Sequence, residues 1–163
     1  MSSEMTISPT DINEIVNDLA LLCESEFHLQ SILKVDKSPI EILVNVDKSL
    51  IMQAAINVIR NAKQAVETAE NPEIRITSYQ KMSNAYIEIS DNGVGIDRED
   101  IENIFIPFFT TKPNGSGIGL TIAKQLITIQ GGRIDIHSEK NRGTTLTIIL
   151  EMMSNNTQTP SSA

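Results

Sequence analysis

The chain has 163 residues, 40% hydrophobic and 21% charged, which suits one globular domain with a real core rather than a disordered chain. Thirteen basic against 21 acidic residues leave a formal charge of −8, which opposes attraction to nucleic-acid phosphates or anionic lipid, so neither nucleic acid nor a membrane surface is expected as a direct partner. Cys23 is the only cysteine, which excludes an intrachain disulfide and a thiolate metal cluster and fits a reducing, cytoplasmic setting. No apolar run approaches the roughly 20 residues of a membrane span, so any anchor is expected in a parent protein outside this chain.

Residues 1–11 read as a lead-in, with the domain expected over 12–153. Apolar positions Ile12, Ile15, Val16, Leu19, Leu22 and Cys23 recur three and four apart and predict a first helix, with Asp11 as its cap. Short runs around Ile32 and Leu33 and around Ile40, Ile42 and Val44 predict two strands joined by a turn at Asp36, Lys37, Ser38 and Pro39. From Asp47 the helical period returns through Leu50, Ile51, Ala54, Val58, Ile59, Ala62 and Val66, a long helix of about five turns. Residues 74–79 and 85–90 alternate with period two about a polar turn and predict a hairpin. Residues 96–119 hold a short helix-like patch and then a Pro/Gly-punctuated stretch, long enough to suggest a lid or binding loop. A helix over 118–130 stops at Gly131 and Gly132, two alternating runs follow at 133–138 and 144–150, and a polar tail over 154–163 is expected to be disordered. The fold class expected is α+β: a two-layer sandwich with an antiparallel-rich mixed sheet, helices on one face and a lid.

Chemistry gathers at four places. Asn57 and Asn61 lie four apart on the long helix and share a face; among small, apolar neighbours an amide oxygen there could ligate Mg²⁺, although a solvent-facing edge would look the same. Asp91-Asn92-Gly93-Val94-Gly95 follows a strand, where glycines permit close backbone approach and a carboxylate can accept from an amino group; a plain Asx turn is the competing reading. Gly115-Ser116-Gly117-Ile118-Gly119-Leu120 opens a helix, and backbone N–H groups there suit phosphate oxygens, as a flexible hinge also would. Phe105, Phe108 and Phe109 crowd just before Lys112; the phenylalanines suit apolar anchoring and the lysine can reach a phosphate.

In this order the four motifs resemble the GHKL superfamily, which groups gyrase, an ATP-driven chaperone, histidine kinases and MutL. Residues 57–62 look like its N box, 91–95 the G1 box, 105–112 the F box and 115–120 the G2 box, a resemblance covering about residues 12–151. It implies a Bergerat sandwich that holds ATP and Mg²⁺. It further implies that Asn61 ligates the metal, that Asn57 lies beside the phosphates and that Asp91 reads the adenine amino group, partly through water. Gly93 and Gly95 would pass close to the base, Gly117 and Gly119 would contact phosphates, and Thr145 would support the adenine pocket. Ile96, Phe108, Thr111, Gly115, Ser116, Ile118 and Leu120 would complete the nucleotide contacts. The run Phe109-Thr110-Thr111-Lys112 with a short lid looks closest to nitrogen-regulation-type kinases, with Lys112 meeting the triphosphate; Gln64 stands where many histidine kinases carry a lysine.

ATP-hydrolysing relatives resemble one another in carrying a glutamate at the position of Asn57, and an amide cannot activate water. The resemblance therefore favours the catalytic domain of a histidine kinase, with Asn57, Asn61 and Lys112 as its catalytic residues. Its partners would be a histidine-bearing dimerisation domain outside this chain and a downstream response regulator. His28 and His137 lack the acidic neighbour expected of an acceptor and read as structural or exposed. A nucleotide-binding regulatory module, of pseudokinase or anti-sigma type, and a GHKL ATPase are the alternatives.

Overall fold

The structure, a computed structural model, describes residues 4–110 and 117–154. Strand β1 (Ser8–Asp11) leads into helix α1 (Ile12–Ser25), whose first turn is capped by the Asp11 carboxylate accepting from Asn13 N at 3.0 Å. Strands β2 (Leu33–Asp36) and β3 (Leu43–Val46) follow, then helix α2 (Lys48–Ala65), capped by Asp47. Strands β4 (Ile74–Lys81) and β5 (Asn84–Asp91) form the expected hairpin. A single turn, α3 (Arg98–Ile101), precedes helix α4 (Gly119–Thr128), and strands β6 (Arg133–Glu139) and β7 (Gly143–Glu151) follow.

The main sheet has the order β2-β4-β5-β7-β6, with β2 parallel to β4 and every other pair antiparallel. The two early strands expected around one turn are both present, but they do not pair with each other. β2 joins the edge of the main sheet, whereas β3 pairs antiparallel with β1 in a two-stranded sheet. That small sheet meets the end of β7 through the Val44–Met152 bridge and a bond from Met153 N to Leu43 O. β1 lies within residues that the sequence pattern left without an element, because Pro9 and the polar residues around it carry no alternation.

Period-two alternation sorts the sheet into two faces. Ile74, Ile76, Ala85, Ile87, Ile89, Leu146, Ile148 and Leu150 are buried beneath the helices, which pack on that side: α1 against β2, β4 and β5, α2 against β5 and β7, α4 against β6. Each fully buried isoleucine or leucine contributes about 1.5–3 kcal/mol. The opposite face carries Thr77, Tyr79, Tyr86, Glu88, Thr145 and Thr147, only partly covered. There Tyr79 and Tyr86 stack with ring centroids 4.8 Å apart.

Buried polar groups tie the layers in register. Ser78, on the inward face of β4, donates to Asn13 Oδ1 at 2.6 Å and accepts from Ser38 N at 3.0 Å, while Asn13 Nδ2 donates to the carbonyls of Ser38 and Ile40. α1 is thereby fastened to the sheet. Lys48 at the start of α2 pairs with Glu14 and Asp18 of α1, which ties the helices to each other. His28 and His137 are both exposed. Among the described residues no helix is long and apolar enough to cross a membrane.

Candidate active site

Helix α2 turns two faces to different tasks. Ile51, Ala55, Ile59 and their neighbours are buried on the sheet side, and Asn57, Asn61 and Gln64 share the other side at spacings of three and four. That polar side forms one wall of a cavity of about 650 Å³, whose floor is the ends of β5 and β7 and whose far wall is α4 with Phe109 and Thr110. The volume suits a small molecule of nucleotide size. Its lining is apolar at Ile89, Ile104, Ile136 and Leu146, with a few polar groups converging from α2, Asp91 and Thr144.

The loop after β5 places Asp91. Its carboxylate accepts from Gly93 N at 2.9 Å, an Asx turn that folds the chain back beneath α2. Asn92 holds the loop to the preceding connection, accepting from Glu73 N at 2.8 Å and donating to Asn71 O at 2.7 Å. Val94 N then bonds to Ala65 O at the end of α2, and Ile96 N to Ser138 Oγ at 2.8 Å. Ser138 in turn shares a 2.7 Å hydrogen bond with Thr144 Oγ1, so the cavity floor and the loop are one connected network.

On the far wall, α4 begins at Gly119 without a side-chain cap among the described residues, so its first N–H groups lack intrahelical partners at the cavity wall. Phe108 N bonds to Gly117 O at 3.0 Å and Thr121 Oγ1 donates to Phe105 O at 3.0 Å, which join the phenylalanine segment to the start of α4.

Of the residues singled out in the sequence, Asn57, Asn61, Asp91, Gly95, Ile96, Gly117, Ile118, Gly119 and Leu120 come together around this cavity. Thr111, Lys112, Gly115 and Ser116 lie outside the described residues. Three positions are placed elsewhere. A Cβ on Gly93 would stand 2.1 Å from Ala65 O, so this glycine admits the end of α2. Gly95 does line the cavity, but its φ of +68° and the Glu139 carbonyl, 2.1 Å from where a Cβ would sit, show that the close approach is to the β6–β7 turn. Phe108 is 79% exposed and off the cavity; Phe109 takes the lining position, and Phe105 packs under Lys124, whose Nζ is 4.9 Å from the ring centroid.

The third is Thr145, which sits on the opposite face of the sheet with its hydroxyl 2.6 Å from Ser90 Oγ. Thr144 lines the cavity instead. Strand alternation decides this: Thr144 lies in phase with the buried Leu146, Ile148 and Leu150 and pairs with Asp91, whereas Thr145 lies in phase with Thr147. Arg60 and Gln64 also line the cavity. Their signal was available in their helical offset from Asn57 and Asn61.

The sequence profile of the histidine kinase-, DNA gyrase B- and HSP90-like ATPases matches residues 46–154, the stretch that contains α2, the Asp91 loop and the start of α4. The chain belongs to this family. It is an ATP-binding catalytic domain of the kind found in sensor histidine kinases. Sporulation kinase D of Bacillus subtilis is 38% identical over 109 residues, 67% of this chain and 21% of that protein. The histidine-protein kinase AtoS of Escherichia coli is 37% identical over 116 residues, 71% of this chain and 19% of that protein. This chain thus spans about a fifth of the length of either relative. The nucleotide-free catalytic domain of the histidine kinase ThkA superposes with a TM-score of 0.78 at 30% identity, covering 90% of this chain and 96% of that one.

What the family cleft can do here follows from its donor set. Asn57 and Asn61 offer hard amide oxygens, which suit Mg²⁺. No group of three or more His, Cys, Asp or Glu able to hold a metal exists among the described residues, so a metal here would draw most of its ligands from phosphates and water. The one carboxylate among the described lining residues is Asp91, already bonded to Gly93 N.

Proposed function

We propose that this domain transfers the γ-phosphate of Mg-ATP to a histidine on a separate dimerisation domain, with a response regulator downstream. A relative supplies the pattern for the last step: the histidine kinase ThkA, 26% identical with a TM-score of 0.74, is known in complex with the response regulator TrrA. The catalytic unit is taken to span residues 12–153, with 1–11 as its lead-in and 154–163 as its tail.

The observation that carries the reading is the absence of a general base among the described residues of α2's cleft face. Asn57 presents an amide, which cannot take a proton from water. An imidazole is itself a nucleophile and needs no such base. Catalysis would rest on positioning and charge neutralisation. In this reading Asp91 reads the adenine amino group, partly through water, and Asn57 lies beside the phosphates. Asn61 holds Mg²⁺, which when bound neutralises phosphate charge. The N–H groups of Gly117 and Gly119 meet phosphate oxygens, Ile96, Ile118 and Leu120 pack around the nucleotide, and Lys112 meets the triphosphate.

Incubation of the chain with labelled ATP and a separately made acceptor domain tests this. Transfer of label to the acceptor histidine that is lost in Asn61→Ala supports a kinase. Tight Mg-ATP binding with no transfer to any acceptor would favour a regulatory module.

A further inference from the structure

The described lining of the cleft is short of positive charge. A triphosphate must enter a chain of formal charge −8, yet among the described lining residues only Arg60 is cationic. Arg60 stands one residue before Asn61 and three after Asn57, at the edge of the same helical face, and Gln64, one turn further on, offers a neutral amide. Arg60 makes no ion pair among the described residues. Its guanidinium lies instead against Phe27, with Cζ 5.8 Å from the ring centroid, and Lys63 Nζ stands 5.8 Å from the same ring.

We propose that Arg60 is the polyphosphate-binding cation of α2, held at the mouth of the cleft by Phe27, and that it discriminates nucleotides by phosphate number. The proposal rests on the reading that this cleft holds ATP. A guanidinium presents a planar fork that matches phosphate oxygens and stacks readily on an aromatic ring, so one side chain can hold both contacts at once. Parking on Phe27 limits the rotamers of Arg60 without neutralising it, and the second cation on that ring discourages Arg60 from swinging away toward Lys63. Phe27, on the segment after α1, is then a positioning residue that acts only through Arg60.

Competition against a fluorescent ATP analogue, with the whole chain and Mg²⁺ present, measures affinity for ATP, ADP and AMP. Arg60→Gln is expected to weaken ATP about tenfold or more, ADP less, and AMP under about twofold, the loss of one charge-assisted contact. Arg60→Lys should restore most of the ATP affinity, and Phe27→Leu should reproduce the same ATP-selective loss in smaller measure. Because Arg60 is exposed, its variants should keep the wild-type melting temperature. An ATP-to-AMP affinity ratio unchanged in Arg60→Gln would overturn this inference alone. Failure of the wild-type chain to bind any adenine nucleotide would overturn it together with the reading beneath it.

Discussion

Asp91 and Thr144 stand directly opposite each other across the β5–β7 pair, and both turn toward the cleft. Thr145, one residue on, pairs with Ser90 and faces the other side of the sheet. A one-residue step in a strand exchanges faces, so only Thr144 lines the cleft. Thr144→Val should weaken ATP roughly three- to tenfold, since a hydroxyl of the cleft network is lost. Thr145→Val should leave ATP affinity within about twofold and cost about 1 kcal/mol of unfolding free energy. Calorimetric titration and urea denaturation of both variants check the pair; equal effects of the two on affinity would refute the assignment of faces.

Gly93 makes a complementary test, because its constraint comes from packing. A Cβ at this position would meet Ala65 O at 2.1 Å and the Ala65 carbon skeleton just beyond, all at the end of α2. Gly93→Ala must therefore push the loop from the helix and weaken the Val94 N to Ala65 O bond, at a cost of roughly 1–3 kcal/mol. The expected outcome is a lowered melting temperature even without nucleotide. A variant as stable as wild type with only ATP binding impaired would instead place the constraint on the ligand.

The contrast between these positions shows what the sequence carries. α2 and the β4–β5 hairpin were legible because their apolar periods are long and unbroken, and the Asn57–Asn61 pair could be placed on one face from spacing alone. The inward phase of Thr144 was equally present in the alternation of Leu146, Ile148 and Leu150, whereas motif similarity pointed to Thr145, which lies on the other face. The partners of β2 and β3 were not legible. Two short strands with a turn between them look like a hairpin, and only the distant hydrogen-bonding edges of β4 and β1 draw them apart. Likewise, Gly93 announces close approach without naming what approaches.

Asp47 illustrates how one cap can hold several elements. It caps α2 through Leu50 N at 3.3 Å, accepts from Thr6 N at 2.9 Å, and its own N–H donates to Gln130 Oε1 at 2.7 Å at the end of α4. Asp47→Ala removes the two side-chain acceptors while sparing the backbone donor. A loss of about 1–2 kcal/mol is expected in urea denaturation. Asp47→Asn, which keeps an acceptor oxygen, should recover more than half of it; no recovery would mean that the carboxylate charge matters more than the bond.

On the open face of the sheet, Tyr79 donates to Glu88 Oε1 at 2.6 Å. Burial, reinforced by that bond and by the Glu88 charge, pushes its phenol up from 10 to about 12. The folded protein then holds a proton that the unfolded chain releases earlier, so between pH 10 and 12 the native state binds more protons and stability must fall as pH rises. The contribution is fully present below pH 10 and is gone above the folded value. Urea midpoints measured at pH 9 and at pH 11 should accordingly drop more for wild type than for Tyr79→Phe, which has no proton to lose. Identical drops in the two proteins would show that Tyr79 titrates alike folded and unfolded, and that its bond to Glu88 contributes nothing to the alkaline limb.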